Sequence, residues 1–420
     1  MYSALMEVGD PDINEERVIQ PAEFYFSKQF IKTTKTRLKN GKHTLDISKL
    51  DCDNEYVNYN NYLSDMLQYW IEDYDFHEQE LVFNRFPQFF IFIDGLRIHY
   101  IHVKPNNPKK KPVYPLLLLH GWPSSVLEFY DIIPHLVKAT DINDFIFEVI
   151  IPSLPGFGGS DCPSHENLNC EFIAGLLVKF MKVLGFNGFY VHCDDWCVLV
   201  VQAMSMKYSD NLLAISYTLC QVENFSDLSL YIATKLMNIR EAREQSNLKN
   251  ECYYSPTSSC TLTLGMSLQH SPVILMIYLF EKFVKDAVHS DTLKILENYQ
   301  YLQFLNNVMM YWATNSITNT LKAYSGYFTF SEDVDENKIS QSLSNIYTRV
   351  SLFLPELLRH HVLCGNQFTV NGYRFPAIED SYTLMTVIFN VFKDFFDSSM
   401  NVTGSRLMTE ARLRRSIWQH

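Results

Sequence analysis

The stretch that decides the fold is FYVHCDDWCVLVVQAMSMK, residues 189–207. Residues 189–192 predict a short strand and residues 198–207 predict a helix, with a sharp turn between them at Asp195. A turn of this kind projects an acidic side chain above the carboxyl edge of a sheet, where a carboxylate can attack an electrophilic carbon. The alternative is that Asp195 caps the helix that follows.

Two earlier apolar runs extend this pattern. Residues 116–119 (LLLL) and 147–151 (FEVII) predict strands, and a helix is expected at residues 171–184, before the third strand. Short apolar strands that alternate with helices are typical of a parallel sheet that is buried on both faces. We therefore expect an α/β fold with a doubly wound, mostly parallel sheet.

The chain is expected to have four parts. Within the N-terminal part, residues 56–80 predict one amphipathic helix, Asp94-Gly95 predicts a hairpin turn, and residues 1–55 predict an arm or meander that lies over the larger body. The four parts are an N-terminal wrap (1–112), the first half of the core (113–220), an inserted helical lid (221–325), and the second half of the core with a C-terminal tail (326–420).

Composition excludes several classes of protein. The 420 residues carry 35 Lys and Arg against 47 Asp and Glu, a formal charge of −12 without a basic stripe, so nucleic acid is not an expected partner. The nine Cys are scattered without zinc-ligand spacing, and we expect no metal and no cofactor. We also find no signal peptide and no membrane anchor, which predicts a cytoplasmic or endoplasmic-reticulum-associated protein; peripheral membrane association and oligomeric state stay open.

A second motif, His120-Gly121-Trp122-Pro123, follows the strand predicted at residues 116–119. A loop in this position can direct a backbone N–H at the group that follows the neighbouring strand. The residue after Asp195 supplies another N–H, so Trp122 and Trp196 are the candidate donors. The alternative is that the tetrapeptide is only a β-turn.

These segments resemble the microsomal-type epoxide hydrolases, the branch of the α/β-hydrolase fold that includes the juvenile hormone epoxide hydrolases. The resemblance spans roughly residues 50–398. It is carried by four segments: YWIEDYDFHEQELVFNRFPQFFIFIDGLRIHYIHVKP (69–105), LHGWPSSVLEFYDIIPHL (119–136), VIIPSLPGFGGSDCP (149–163) and NVMMYWATNSIT (307–318).

The resemblance implies that apolar epoxides, such as xenobiotics or terpenoid hormones, are opened through an Asp ester to give diols. Carried over by motif, Asp195 is the nucleophile, Tyr253 and Tyr324 hold the epoxide oxygen, and Glu356 is the acid that orients the catalytic His. Tyr254 is an alternative to Tyr253. Tyr324 and Glu356 also have purely structural readings, as a packing ring and as a surface helix residue.

The sequence departs from the family at two places that bear on turnover. The family's Gly-Gly-Asp-Trp-Gly is CDDWC here, residues 193–197, which adds Asp194 beside the nucleophile. The catalytic His is replaced by Arg374, which stays protonated and cannot act as a base near neutral pH. His360 and His361 are weak candidates for a substitute base. The alternative function is an impaired pseudoenzyme that binds or sequesters a lipophilic ligand; nothing in the sequence supports a pure protein-interaction module.

Overall fold

A computed structural model provides the structure of the protein. It describes residues 4–7, 19–44, 57–107, 109–141, 143–164, 169–218, 258–285, 301–327, 382, 384–386, 388 and 389. The predicted site residues Tyr253, Glu356 and Arg374 lie outside the described residues, and so do His360 and His361.

The described residues form one eight-stranded mixed sheet, in the spatial order β1-β2-β3-β4-β6-β5-β7-β8. The strands are β1 (Leu5–Glu7), β2 (Gln20–Phe24), β3 (Gln88–Ile93), β4 (Leu96–Val103), β5 (Val113–Leu119), β6 (Ile146–Pro152), β7 (Phe189–Asp194) and β8 (Leu212–Thr218). The strands β5, β6, β7 and β8 pair in parallel, while β1 to β4 pair antiparallel and β4 joins them to β6. The prediction of an α/β fold is confirmed; within the described residues its sheet is mixed, with the parallel part formed by β5 to β8.

The strand order places a switch point at β5. The chain runs from β5 to β6 on one side and then crosses back to β7 on the other side of β5. The loops that leave β5 and β7 therefore emerge next to each other at the carboxyl edge of the sheet. Ligands of open α/β sheets bind in such a crevice.

The helices are α1 (Lys28–Thr44), α2 (Val57–Glu72), α3 (Phe76–Phe83), α4 (Ile133–Val137), α5 (Cys170–Val183), α6 (Cys197–Lys207), α7 (Ser258–His270), α8 (Pro272–Lys285), α9 (Tyr301–Thr314) and α10 (Ile317–Tyr327). The helices α5 and α6 match the helices predicted at residues 171–184 and 198–207. The predicted hairpin is also present, because Asp94 and Gly95 both have positive φ between β3 and β4.

One expectation for the N-terminal segment was wrong. Residues 57–80 form two helices instead of one, because α2 ends at Glu72 and Asp75 caps α3 by accepting hydrogen bonds from the amides of His77 and Glu78. The arm predicted at residues 1–55 contains the 17-residue helix α1, which the sequence pattern did not indicate. Its buried face carries Thr34 and Gly41 besides apolar residues, and Gly41 packs closely against Val273 of α8.

The helix α9 joins the N-terminal segment to the core. Most of its side chains are buried. The Asn306 side chain accepts a hydrogen bond from the Tyr74 hydroxyl at 2.8 Å and donates one to Gln79 at 2.9 Å, and the Trp312 indole donates to Thr34 at 3.0 Å. These buried polar contacts fix the position of α9, and of α10 after it, over the carboxyl edge of the sheet. Within the described part of the chain, no helix has the length and apolar character needed to cross a bilayer.

Candidate active site

Asp195 occupies the sharp turn between β7 and α6. Its φ is +55°, a left-handed conformation that costs energy for residues other than Gly but that Asp tolerates better than most. Trp196 follows with helical angles, and α6 begins at Cys197. The strand, the strained turn and the helix together form the elbow geometry that projects a nucleophile above a sheet.

The loop of residues 120–123, which we call the donor loop, reaches this carboxylate. The Trp122 N–H donates a hydrogen bond to Asp195 Oδ2 at 3.1 Å. Gly121 makes this approach possible, because a Cβ at this position would lie 2.7 Å from the Asp195 Cβ. One of the two predicted backbone donors therefore contacts the predicted nucleophile, while the donor role of Trp196 stays a prediction.

His120 holds the donor loop in place and is not available as a base. Its Nε2 accepts a hydrogen bond from the Leu154 N–H at 3.2 Å, and its Nδ1 contacts the Gly121 carbonyl at 3.1 Å. Burial lowers the pKa of His120 to about 4, so the ring is neutral at physiological pH. The Cys197 thiol donates to the His120 carbonyl at 2.9 Å, which ties the loop to the start of α6.

Four aromatic rings pack together next to the donor loop and the elbow. The Tyr324 ring of α10 lies 5.5 Å from the Trp122 ring and 6.1 Å from the Trp196 ring, measured between centroids. Phe157 lies 6.1 Å from each of the same two tryptophans. We call these four residues the aromatic wall. It brings the predicted Tyr324 next to the donor loop and the elbow, and its other three rings are buried.

A second group of polar side chains lies beneath the elbow, and sequence reasoning identified only Asp194 among them. Asp194 is fully buried, and its Oδ1 lies 3.2 Å from the His192 Nε2, while the His192 Nδ1 contacts the Ser216 hydroxyl at 3.0 Å. Glu128 is also buried, and it accepts a hydrogen bond from the Gly121 N–H at 3.3 Å. We call these four residues the lower layer.

The buried histidines that the structure describes all have structural partners. His99 lies between Gln88 and Ser153, and burial lowers its pKa to about 3. His102 contacts Glu148, and His120 and His192 make the contacts given above. None of these four rings is free to activate a water molecule. No cluster suited to a metal ion occurs among the described residues.

Comparison with known proteins places this site in a family. The model of the epoxide hydrolase N terminus matches residues 19–129, and the model of the α/β-hydrolase fold matches residues 114–215. The juvenile hormone epoxide hydrolase of Bombyx mori is 31% identical over 341 residues, which cover 76% of this chain and 74% of the relative. Juvenile hormone epoxide hydrolase 1 of Ctenocephalides felis is 28% identical and covers 92% of this chain and 88% of its own length.

The structural comparison agrees with these relatives. The crystal structure of the Bombyx mori juvenile hormone epoxide hydrolase superposes with a TM-score of 0.61 at 29% identity, covering 77% of this chain and 80% of that chain. The residues matched by the two family models include the donor loop and the elbow. The chain therefore belongs to the epoxide hydrolases of the juvenile hormone and microsomal type.

Proposed function

We propose that this protein opens small apolar epoxides by attack of Asp195, with formation of an alkyl-enzyme ester. The observation that carries the proposal is the Trp122 amide 3.1 Å from Asp195 Oδ2 at a strained elbow. A carboxylate with one oxygen fixed by a backbone donor has its other oxygen, Oδ1, oriented for attack.

The reaction consists of one bond made and one bond broken. Asp195 Oδ1 forms a bond to an epoxide carbon, the C–O bond of that carbon breaks, and its electron pair goes to the epoxide oxygen. The oxygen must then receive a proton, because an alkoxide is a poor leaving group. Tyr324, which contacts both tryptophans of the site, and the predicted Tyr253 are the candidate phenol donors.

The aromatic wall supports an apolar substrate. The rings of Trp122, Trp196 and Phe157 that pack near Tyr324 are uncharged. They would replace water around the reacting oxygen with apolar surface. Hydrogen bonds from phenols and amides to a developing oxyanion are stronger in such surroundings than in water. Xenobiotic and terpenoid epoxides are the substrate classes that fit this surface.

Hydrolysis of the ester is the step at which we expect this protein to differ from its family. The oxygen held by Trp122 becomes the carbonyl oxygen of the ester, and the same amide can stabilise the oxyanion when water attacks. Water must first lose a proton to a base. The family places a His at the position of Arg374, which is always protonated, so Glu356 has no imidazole to orient. We therefore propose that the ester accumulates and that turnover is slow.

The second candidate function is binding of a lipophilic ligand without chemistry, and the observation that favours it is Arg374. Incubation with an apolar epoxide, followed by intact-mass measurement and diol analysis, separates the two. Ester formation raises the protein mass by the mass of the epoxide, and Asp195→Asn serves as the matched control that forms no ester. Absence of both an added mass and a diol would reject the proposed reaction.

Restoring the base tests the assignment of Arg374. Arg374→His should convert an enzyme that stops after one ester into one that releases diol, since an imidazole can deprotonate water. The measurement is the amount of diol formed per protein molecule. If the ester persists unchanged in Arg374→His, then the missing base lies elsewhere or the fold at this position has diverged.

A further inference from the structure

Glu128 lies between the donor loop and the lower layer. It belongs to the short 3-10 helix Val126–Phe129, and only 2% of its surface is exposed. Its Oε1 accepts the Gly121 N–H at 3.3 Å. The Glu128 Oε2, both carboxylate oxygens of Asp194 and the His192 Nε2 have no hydrogen-bond partner among the described residues, although the His192 Nε2 lies 3.2 Å from Asp194 Oδ1. Buried polar atoms rarely stay unpaired, so a shared proton is the simplest explanation.

The surroundings of Glu128 favour its neutral form. Burial raises the pKa of Glu128 well above its usual range, and the neighbouring Asp194 carboxyl raises it further. Hydrogen bonds from Ser124 and Gly121 act in the opposite direction but are smaller effects. A protonated carboxyl group must donate its O–H to an acceptor, and the unpaired Asp194 oxygens are the acceptors on the neighbouring strand β7.

The other groups around Glu128 do not compete for this role. Asp195 at the elbow also raises the pKa of Glu128. Burial raises the pKa of the Tyr311 phenol on α9, and its hydroxyl already donates to the Ser124 carbonyl. Burial likewise raises the pKa of the Cys197 thiol on α6, which donates to His120. Both groups are therefore neutral, and each already donates its proton in a hydrogen bond.

We propose that Glu128 is a positioning residue that donates a hydrogen bond from its neutral acid to Asp194 and accepts the Gly121 N–H. Through Gly121 it fixes the next residue's amide, that of Trp122, on Asp195 Oδ2. Asp194, which stands where the family has Gly, thus becomes part of the support of the donor loop. The kinetic part of this inference rests on the proposed epoxide opening.

Three variants separate positioning from simple burial of charge, with the rate of ester formation as the first readout. Glu128→Leu removes the hydrogen bonds from Gly121 and Ser124 and the proposed one to Asp194, and should slow ester formation by about tenfold or more, since losing a complete oxyanion donor costs about 10²–10³. Glu128→Gln keeps an acceptor for Gly121 and a donor for Asp194, and should restore most of the rate. The double variant E128L/D194N removes the unpaired buried carboxylate that E128L leaves behind.

The double variant distinguishes the two roles. If Glu128 positions the donor loop, then E128L/D194N regains the melting temperature lost in E128L but keeps the slow ester formation, because Gly121 still lacks its acceptor. If Glu128 only neutralises charge, then rate and melting temperature recover together, and that result would overturn the inference. If E128L does not fold, the rate of ester formation and the melting temperature of E128L/D194N are compared with those of E128Q instead.

A spectroscopic readout keeps the inference independent of the chemistry. The chain has five Trp, and only Trp122 follows a Gly, so labelling with carbonyl-¹³C Gly and ¹⁵N Trp leaves one amide signal in a carbonyl-filtered NMR experiment. We expect this signal to shift in E128L and in E128L/D194N, and to stay near its wild-type position in E128Q. An unmoved signal in the two Leu variants would overturn the positioning role. If the wild type forms no ester at all, the proposed function fails, while the Trp122 signal still decides the position of the loop.

Discussion

Asp194 and Asp195 are neighbours in the chain, yet their surroundings are opposite. Asp195 is half-buried in a strained backbone conformation, with a backbone amide 3.1 Å from one of its oxygens. Asp194 ends a regular strand, is fully buried and faces His192. Asp194 is the last residue of β7, whereas the left-handed turn at Asp195 redirects the chain, so the same residue type reaches the lower layer in one case and the site in the other.

The difference shows what a carboxylate needs in order to react. A nucleophile requires access to the substrate and fixed donors that leave one oxygen free. A buried carboxylate without solvent must share a proton or pair with a cation, because burial of an isolated charge is costly. The two regions are linked through the donor loop, since Gly121 contacts Glu128 on one side and Asp195 on the other.

The largest effect is expected from exchanging the two acids for amides one at a time. Asp195→Asn should abolish ester formation, because the amide is not a nucleophile, whereas Asp194→Asn should still form the ester. Intact-mass measurement after incubation with an apolar epoxide gives the comparison. Ester formation that survives in Asp195→Asn and disappears in Asp194→Asn would reverse the assignment.

Gly121→Ala should have the next largest effect. The added Cβ would lie 2.7 Å from the Asp195 Cβ and 3.3 Å from Oδ2, so the loop must move away from the elbow. We expect ester formation to slow by about a hundredfold, comparable with the loss of an oxyanion donor. Gly95→Asn is the control, because Asn tolerates the positive φ of that distant hairpin turn. A wild-type rate in Gly121→Ala would show that the close approach is not required.

Removal of the Tyr324 hydroxyl should have an intermediate effect. Tyr324→Phe keeps the ring against Trp122 but removes a proton donor, and we expect ester formation to slow by roughly tenfold to a hundredfold. Tyr253→Phe should behave similarly, whereas Tyr254→Phe and Tyr301→Phe should not slow the reaction. Equal rates for Tyr253→Phe and Tyr254→Phe would mean that the second donor is a different residue.

The smallest effect concerns stability in the lower layer. Folding raises the pKa of Glu128 above its ordinary value of 4.5. At a pH between 4.5 and this raised pKa, the folded state therefore keeps a proton that the unfolded state has lost. The contribution of Glu128 to stability is therefore full below pH 4.5 and declines as the pH rises towards the folded pKa.

Glu128→Gln does not titrate, and it should therefore melt at a higher temperature than the wild type at pH 7. The gain should shrink as the pH is lowered towards 4.5. Thermal melts across this range provide the measurement, with Glu148→Gln on β6 as the matched control for an acid that contacts His102 outside the lower layer. A gain that is independent of pH would show that Glu128 is ionised in the folded protein.

The sequence predicted the elements that carry a strong local signal. The apolar runs of β5, β6 and β7, the Asp94-Gly95 turn and the helix after Asp195 all depend on local patterns that the structure retains. The helix α1 was missed because Thr34 and Gly41 occupy buried positions that periodicity assigns to apolar residues.

The site residues that belong to a recognisable sequence motif were predictable. The local motifs indicated Trp122, Asp195 and Trp196, the family resemblance added Tyr324, and the structure brings these four together. Glu128 and His192 were missed because nothing local distinguishes a buried acid or imidazole from an exposed one. Their partners are Gly121 on another loop and Asp194 and Ser216 on β7 and β8, and only the folded sheet brings them together.

The most direct test is to locate the ester on the chain. After incubation with an apolar epoxide, proteolysis and fragment-ion mass spectrometry of the peptide that spans residues 189–207 can assign the added mass to one residue. Our account predicts that the epoxide is attached to Asp195. Attachment to Asp194 or to any other residue, or the absence of attachment when no diol is formed either, would contradict it.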